Sequence, residues 1–117
     1  MKIINPSDIE SKETKNNPFF IGKVAAKFII SQDDAPDITL GLVTFAPGAR
    51  NVFHTHTAGQ ILYAVEGEGI VANEKEEFKL KPGMVAYIPA GEKHWHGAAK
   101  NSSFSHLSIL PPNKTAS

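Results

Sequence analysis

Short apolar segments alternate with polar breaks along the whole chain. Each segment is rich in valine, isoleucine, phenylalanine or tyrosine and is bounded by glycine, proline, asparagine or aspartate, as β-strands between turns are. The segments are VAAKFII, ITLGLVTF, ILYAV, GIVA, EFKL, MVAYIP and FSHLSIL. No stretch sustains the period of a long helix. The pattern predicts an all-β domain of antiparallel strands in a double-sheet jelly-roll barrel.

The length of the chain predicts a single domain. At 117 residues, residues 1–117 are expected to form one domain with one hydrophobic core. We expect the barrel itself to occupy about residues 20–112. The polar N-terminal arm contains Pro6 and Pro18, and the tail PPNKTAS begins with two residues that cannot donate a ladder hydrogen bond. Both ends are therefore expected outside the barrel, and the charged NEKEE segment is expected at a solvent-exposed hairpin tip.

Charge and composition narrow the range of partners. Twelve Lys and Arg residues balance twelve Asp and Glu residues, so no basic field favours nucleic acid or an anionic membrane. The start of the chain has no apolar signal-peptide core, and no apolar run approaches the length of a membrane span. The absence of cysteine excludes disulfides, thiolate ligands and a cysteine nucleophile. We expect a cytoplasmic protein with a small-molecule substrate.

Three histidines and a glutamine stand at spacings that suit one metal ion. His54 and His56 are two residues apart, so in a strand their side chains share a face, about 6 to 7 Å apart. Gln60 is also an even number of residues from His54 and His56, which is the spacing of side chains on one face of a strand. Gly59 permits a bend that brings the amide oxygen of Gln60 toward the ion. His94 comes from a distant strand. We predict that His54, His56, Gln60 and His94 bind one divalent transition metal.

The predicted ligands are all neutral, and this favours Lewis-acid chemistry. A divalent ion keeps its full +2 charge among three imidazoles and an amide, whereas a glutamate would reduce it. Neutral ligands also stabilise a trivalent ion less, which disfavours iron oxidation. Manganese, iron, nickel, zinc and copper all suit such donors. Four protein ligands leave open positions on an octahedral ion but none on a tetrahedral zinc, so catalysis favours the larger coordination number.

Two glycine-framed blocks carry a family resemblance. The segments GARNVFHTHTAGQILYAVEG and GMVAYIPAGEKHWHGA resemble the first and second motifs of the cupin superfamily. The matching positions are Gly48, His54, His56, Gln60 and Gly67 in the first motif, and Gly83, Pro89, Gly91 and His94 in the second. Two positions depart from the pattern. Gln60 replaces the usual glutamate ligand, and Ala98 replaces the usual asparagine. The resemblance implies a jelly-roll fold and a metal site.

A closer resemblance covers about residues 40 to 110. The strings HTHTAGQ, KHWHGA and SHLSIL look like the small single-domain cupins that include manganese-dependent hydroxynitrile lyases and carboxymuconolactone-decarboxylase-like proteins. This resemblance implies manganese, with iron, zinc and nickel as alternatives, and cyanohydrin cleavage or synthesis as the reaction. It also implies that His106 acts as the base. From the residues alone, His106 is as readily a hydrogen-bonded wall residue.

Other assignments remain open in the sequence. His96 is interpreted as a rim or substrate-contacting residue more readily than as a ligand, with an outer-shell role as the alternative. Besides a lyase, the residues allow an iron-dependent dioxygenase or other oxidoreductase, which Gln60 disfavours, and a metal-bearing binding module without turnover.

Several strands carry apolar residues on both faces, as in ITLGLVTF and ILYAV. One small barrel interior does not need that many apolar residues, and VAAKFII could pair along an open edge. We therefore expect a homodimer or a higher homo-oligomer.

Overall fold

The computed structural model describes residues 1–116. A 3₁₀ helix at Pro6–Asp8 precedes a series of strands. The strands are β1 (Lys12–Glu13), β2 (Phe20–Ile21), β3 (Val24–Ile30), β4 (Thr39–Phe45), β5 (Arg50–Asn51), β6 (Thr55–His56), β7 (Gln60–Gly67), β8 (Gly69–Asn73), β9 (Glu77–Leu80), β10 (Val85–Ile88), β11 (His94–Ala98), β12 (Phe104–Leu110) and β13 (Thr115–Ala116).

The strands form two main antiparallel sheets. The six-stranded sheet has the order β1-β3-β4-β12-β7-β10, and the five-stranded sheet has the order β2-β5-β11-β8-β9. A separate two-stranded sheet joins β13 to β6. Strand β12 lies at the middle of the larger sheet, with His106 opposite Val43 of β4 and Ala64 of β7. This arrangement is the all-β jelly roll predicted from the sequence.

Alternation along the strands builds the core between the two sheets. On β7, Leu62 and Ala64 are buried, whereas Ile61 and Tyr63 face outward. The same period places Phe45 of β4 and Phe104 of β12 inside. The remaining buried members of the core cluster are Val24, Ala49, Val71, Leu80, Ile88 and Ala98. The histidine-bearing ends of the strands lie next to this apolar interior.

Both ends of the described chain contact the barrel. Strand β1 pairs with β3 at the edge of the larger sheet, with Lys12 opposite Ala26. Strand β13 places Thr115 opposite His56. Ser117, the last residue of the tail that was expected outside the barrel, lies beyond the described residues. Within residues 1–116, no helix combines the length and the apolar character needed to cross a bilayer.

Gly97 marks a close approach between two strands. It lies on β11 opposite Arg50 of β5. A methyl group at this position would overlap the carbonyl oxygen of Ala49 and the backbone of Arg50. Glycine therefore allows β5 to pack directly against the strand that carries His94.

Candidate metal centre

A cross-strand pair brings together the two distant parts of the histidine pattern. The backbone N–H of His54 donates to the carbonyl of His94 at 2.9 Å, and the N–H of His94 donates to the carbonyl of His54 at 3.0 Å. His56 follows two residues later on the same face. The candidate ligand atoms of His54, His56 and His94 all lie within 4.8 Å of one another. These three buried imidazoles form a group that could hold a metal ion.

Backbone hydrogen bonds fix the tautomers of two of these rings. Nδ1–H of His54 donates to the carbonyl of Val52 at 2.7 Å, and Nδ1–H of His94 donates to the carbonyl of Glu92 at 2.8 Å. A carbonyl only accepts, so Nδ1 carries the proton and Nε2 of each neutral ring keeps its lone pair. Histidines that ligate metals are oriented in this way.

Burial keeps the three rings neutral. Desolvation is the largest influence on each, and it lowers the pKa of His54 and of His56 from 6.5 to about 4. Desolvation also lowers the pKa of His94, while the carbonyl of Glu92 opposes the shift. Neutral imidazole is the form that binds a metal, so the group is ready to bind at neutral pH.

Gln60 lies beside the three histidines. Its Nε2 donates to Oγ of Ser108 at 2.8 Å, and its Oε1 lies 3.3 Å from Nε2 of His94. In this orientation an amide oxygen faces an imidazole lone pair, and two acceptors cannot satisfy each other. A cation held between them would satisfy both. The donor set therefore fits a metal ion.

His96 and His106 form a second, deeper pair. Nε2 of His106 lies 2.9 Å from Nδ1 of His96, and both rings are buried. His96 is only 4% exposed, so it lies in the interior and not at the rim. Its ring centroid is 5.6 Å from that of His54, 5.8 Å from that of His94 and 4.7 Å from that of His106. His106 therefore reaches the three-histidine group through His96.

The pair is held by residues that the sequence reasoning did not single out. Oδ1 of Asn51 accepts the backbone N–H of His96 at 2.9 Å, and its amide nitrogen lies 3.2 Å from Nε2 of the ring. Phe45 and Phe104 each lie 5.6 Å from the ring of His106. His96 is two residues from His94, so both side chains share a face in a strand, and this alternation could have predicted that His96 is buried with His94. No local signal identifies Asn51, because its contact spans 45 residues.

Apolar surroundings also hold the deeper pair neutral. Burial lowers the pKa of His106 to about 4, against a smaller opposing effect of the Leu107 backbone. Burial lowers the pKa of His96 well below 6.5, and the charges of the neighbouring histidines lower it further. Nδ1 of His106 has no hydrogen-bond partner among the described residues. Both rings are therefore neutral at neutral pH.

A cavity of about 470 Å³ lies between β3, β4, the end of β12 and the tail that follows it. Ser108, the partner of Gln60, lines it together with Val43 and Gly41 of β4 and the tail residues Pro111 and Lys114. Its size falls within the range of small-molecule binding pockets. Among the described residues, its lining includes Ser108 but none of the candidate metal ligands, so the cavity is linked to the site only through the hydrogen bond between Ser108 and Gln60.

The fold and the site define a member of a known family. A profile described as a cupin domain matches residues 41–110, which is more than half of the chain. The chain belongs to the cupin family, as the two motifs predicted.

The relatives include an enzyme. The (R)-mandelonitrile lyase of Granulicella tundricola is 38% identical over 92 residues, which are 78% of this chain and 70% of that protein. A cupin-like protein from Thermotoga maritima has a TM-score of 0.82 and 32% identity, with 89% of this chain and 80% of that chain covered. The polyketide cyclase RemF from Streptomyces resistomycificus, at 19% identity, has a TM-score of 0.85 over 99% of this chain and 84% of its own. This last likeness concerns the fold alone.

Proposed function

We propose that this cupin is a metal-dependent lyase that cleaves and forms cyanohydrins. The observation that carries the proposal is the convergence of three buried imidazoles within 4.8 Å, two of them with Nδ1 committed to a backbone carbonyl. A deeper histidine pair lies next to this group, and a cavity of small-molecule size reaches Ser108, the hydrogen-bond partner of Gln60. The 38% identity to an (R)-mandelonitrile lyase supports the same reaction class.

In this proposal His54, His56, His94 and Gln60 hold one divalent ion, with Mn²⁺ preferred over iron, zinc and nickel. All four donors are neutral, so the ion retains its charge. When bound, it supplies a Lewis acid that polarises the oxygen of the substrate. Ser108 keeps Oε1 of Gln60 turned toward His94 by accepting the amide N–H at 2.8 Å. The protein thereby orients a ligand that would otherwise be free to rotate.

The deeper histidine pair handles the proton. Cleavage of a cyanohydrin removes the hydroxyl proton and breaks the bond between the carbinol carbon and the nitrile carbon, whose electron pair leaves on cyanide. A proton that His96 takes up can pass on to Nε2 of His106, which lies 2.9 Å from Nδ1 of His96. His106 thus acts as the base of the pair, through His96. Return of the proton to cyanide releases HCN and the aldehyde.

The test separates a base from a wall residue. His106→Ala should retain the metal, because the four proposed ligands are elsewhere, and should lower cleavage of (R)-mandelonitrile by about 10²- to 10⁴-fold. The matched control is His54→Ala, which should lose both metal and activity. Metal content, melting temperature and benzaldehyde release are measured on the same Mn²⁺-loaded preparations.

The outcomes are distinct. A wall role for His106 predicts a loss of about 1 to 3 kcal/mol in stability with activity per folded molecule preserved. Full metal occupancy in His54→Ala would exclude His54 as a ligand. A wild-type protein that cleaves no cyanohydrin with manganese, iron or zinc bound would overturn the lyase proposal.

A metal-bearing binding module without turnover is the second candidate. An auxin-binding protein of Nicotiana tabacum is 29% identical over 68 residues, half of this chain. This candidate predicts that a small aromatic ligand stabilises the metal-loaded protein against heat while no product forms. Oxygen uptake by the iron-loaded protein tests the third reading, an iron-dependent dioxygenase, which the neutral Gln60 disfavours.

A further inference from the structure

A chain of hydrogen bonds links the tip of the β8–β9 hairpin to one of the candidate metal ligands. Asn73, the last residue of β8, lies directly opposite His94 in the register with β11, so the two side chains share a face of the sheet. Nδ2 of Asn73 donates to Oε2 of Glu92 at 3.1 Å. The carbonyl of Glu92 accepts Nδ1–H of His94 at 2.8 Å. The chain therefore ends on the hydrogen bond that sets the tautomer of this ring.

The amide of Asn73 is held in one orientation. Its Oδ1 accepts the backbone N–H groups of Lys75 and Glu76, each at 2.9 Å, and its own N–H donates to the carbonyl of Glu76 at 3.0 Å. A backbone N–H only donates, so the side-chain atom that faces these two groups is the oxygen. The nitrogen then faces Glu92. The NEKEE turn thus fixes the donor that binds the carboxylate.

The loop that carries Glu92 is tied to the candidate site at a second point. The N–H of Gly91 donates to the carbonyl of His56 at 2.8 Å, and the φ of Gly91 is +84°, which glycine adopts without strain. This bond fixes the main chain of the loop, whereas the bond from Asn73 fixes the side chain of Glu92. Glu92 is exposed to solvent, so without that bond its carboxylate would be hydrated and free to rotate.

We propose that Asn73 and Glu92 form a clamp that fixes the orientation and the tautomer of the His94 ring. This role rests on the proposed metal centre. The clamp holds the carbonyl of Glu92 on Nδ1 of His94 and leaves Nε2 as the ligand atom. The charge of the carboxylate also favours a cation at the ring: burial is the largest influence on the pKa of His94 and lowers it, and the negative charge of Glu92 opposes that shift. Loss of such outer partners typically weakens metal binding by about 10- to 100-fold.

Two changes break the clamp from opposite sides. Glu92→Ala removes the carboxylate. Asn73→Asp keeps an oxygen for the two N–H groups of the turn but replaces the donor by a second negative charge beside Glu92. In competition against a fluorescent chelator at neutral pH, each variant should bind Ni²⁺ about 10- to 100-fold more weakly than the wild type. Glu92→Gln keeps an acceptor for Asn73 and should recover most of this loss. The double variant should bind no more weakly than the weaker single variant, because both changes remove the same contact.

NMR of the imidazole nitrogens in the metal-free protein tests the clamp separately from the proposed metal centre. The wild-type His94 ring should show one tautomer with the proton on Nδ1, whereas Glu92→Ala and Asn73→Asp should show the averaged shifts of two exchanging tautomers. The matched control is Glu77→Ala, which removes an exposed carboxylate from the same hairpin and should change neither the affinity nor the spectrum.

Several results would overturn the clamp: full affinity or a fixed tautomer in both variants, losses that add in the double variant, or a wild-type ring that already exchanges. A wild type that binds no metal would refute the proposed metal centre, and the imidazole spectra would then decide the clamp by themselves. Circular dichroism and the melting temperature of each variant verify that the folded protein is being compared.

Discussion

Metal affinity should change little between pH 8 and pH 5. The ligand form of histidine is neutral, and protons compete with the ion only near the pKa of each ring. Burial lowers the pKa of His54 and His56 to about 4. At pH 5, a histidine of pKa 6.5 is neutral in only about 3% of molecules, whereas one of pKa about 4 is neutral in about 90%.

Histidine ligands with ordinary pKa values and histidine ligands with lowered pKa values predict very different changes of metal affinity with pH. For two ligands with ordinary pKa values, affinity falls by about 1,000-fold between pH 8 and pH 5, whereas the buried pair predicts a loss of less than about twofold. The lowered pKa of His94 acts in the same direction. Affinity should then fall steeply as the pH approaches 4. The sign follows from burial, which disfavours the charged form in the folded protein.

Competition against a fluorescent chelator, corrected for protonation of the chelator, measures the affinity for Ni²⁺ and for Mn²⁺ at each pH. The control is a free peptide of residues 52–58, whose two histidines are solvated and should lose affinity from about pH 6.5. Near-ultraviolet circular dichroism verifies that the protein remains folded. A protein curve that falls by two or more decades from about pH 6.5, as the peptide does, would refute the reasoning.

Four further predictions concern Gln60, its partner Ser108, the glycine contact and proton linkage. Gln60→Glu adds a negative charge to the proposed site, so the midpoint potential of the iron form and the lyase activity should both fall; an unchanged potential would show that Gln60 does not touch the metal. Ser108→Ala removes the acceptor that orients Gln60 and should weaken metal binding by about 10- to 100-fold, whereas Ser105→Ala, on the outward face of the same strand, should not. Gly97→Ala should cost about 2 to 4 kcal/mol in urea denaturation because of backbone overlap, against about 1 kcal/mol for Gly48→Ala, where space is open but φ is +76°. The metal-free protein should lose stability as the pH falls from about 6.5 to about 4, because the unfolded chain then binds more protons; His106 alone contributes a slope of up to about 1.4 kcal/mol per pH unit, and a melting temperature that stays constant over this range would contradict it.

The strands were predictable because each one has its own local pattern. VAAKFII coincides with β3, FSHLSIL with β12 and EFKL with β9. The charged NEKEE segment spans the exposed turn between β8 and β9. Alternating apolar residues over four to seven positions specify both the strand and its buried face. The two-residue strands β2, β5 and β6 have no such pattern, because their pairing depends on neighbours that are distant in sequence.

The C-terminal segment PPNKTAS also shows that a local pattern does not specify a pairing partner that is distant in sequence. Two prolines predicted that PPNKTAS would not continue a central strand, and β12 does end at Leu110. Proline removes a hydrogen-bond donor only at its own position, so Thr115 can still pair with His56 of β6. The sequence contains the donors for this pairing but nothing that specifies the partner. Only the folded barrel brings the tail to the histidine motif and to the rim of the cavity.

The alternation of side chains along a strand predicted that His54, His56 and His94 lie close together. The contact between His96 and His106 could not be predicted in this way, because it depends on residues that are distant in sequence. His96 has the same parity as His94, which places it inside, yet its contact with His106 depends on how β11 and β12 from opposite sheets approach each other. The bulge between Ser105 and His106 changes the register with β7 at this point, and Asn51 binds His96 from β5. Because these contacts depend on the packing of two sheets, a change of register on β12 would move His106 without altering any of the three imidazoles. The three-histidine group and the deeper histidine pair can therefore be altered by separate mutations, which is why His106→Ala is compared with His54→Ala.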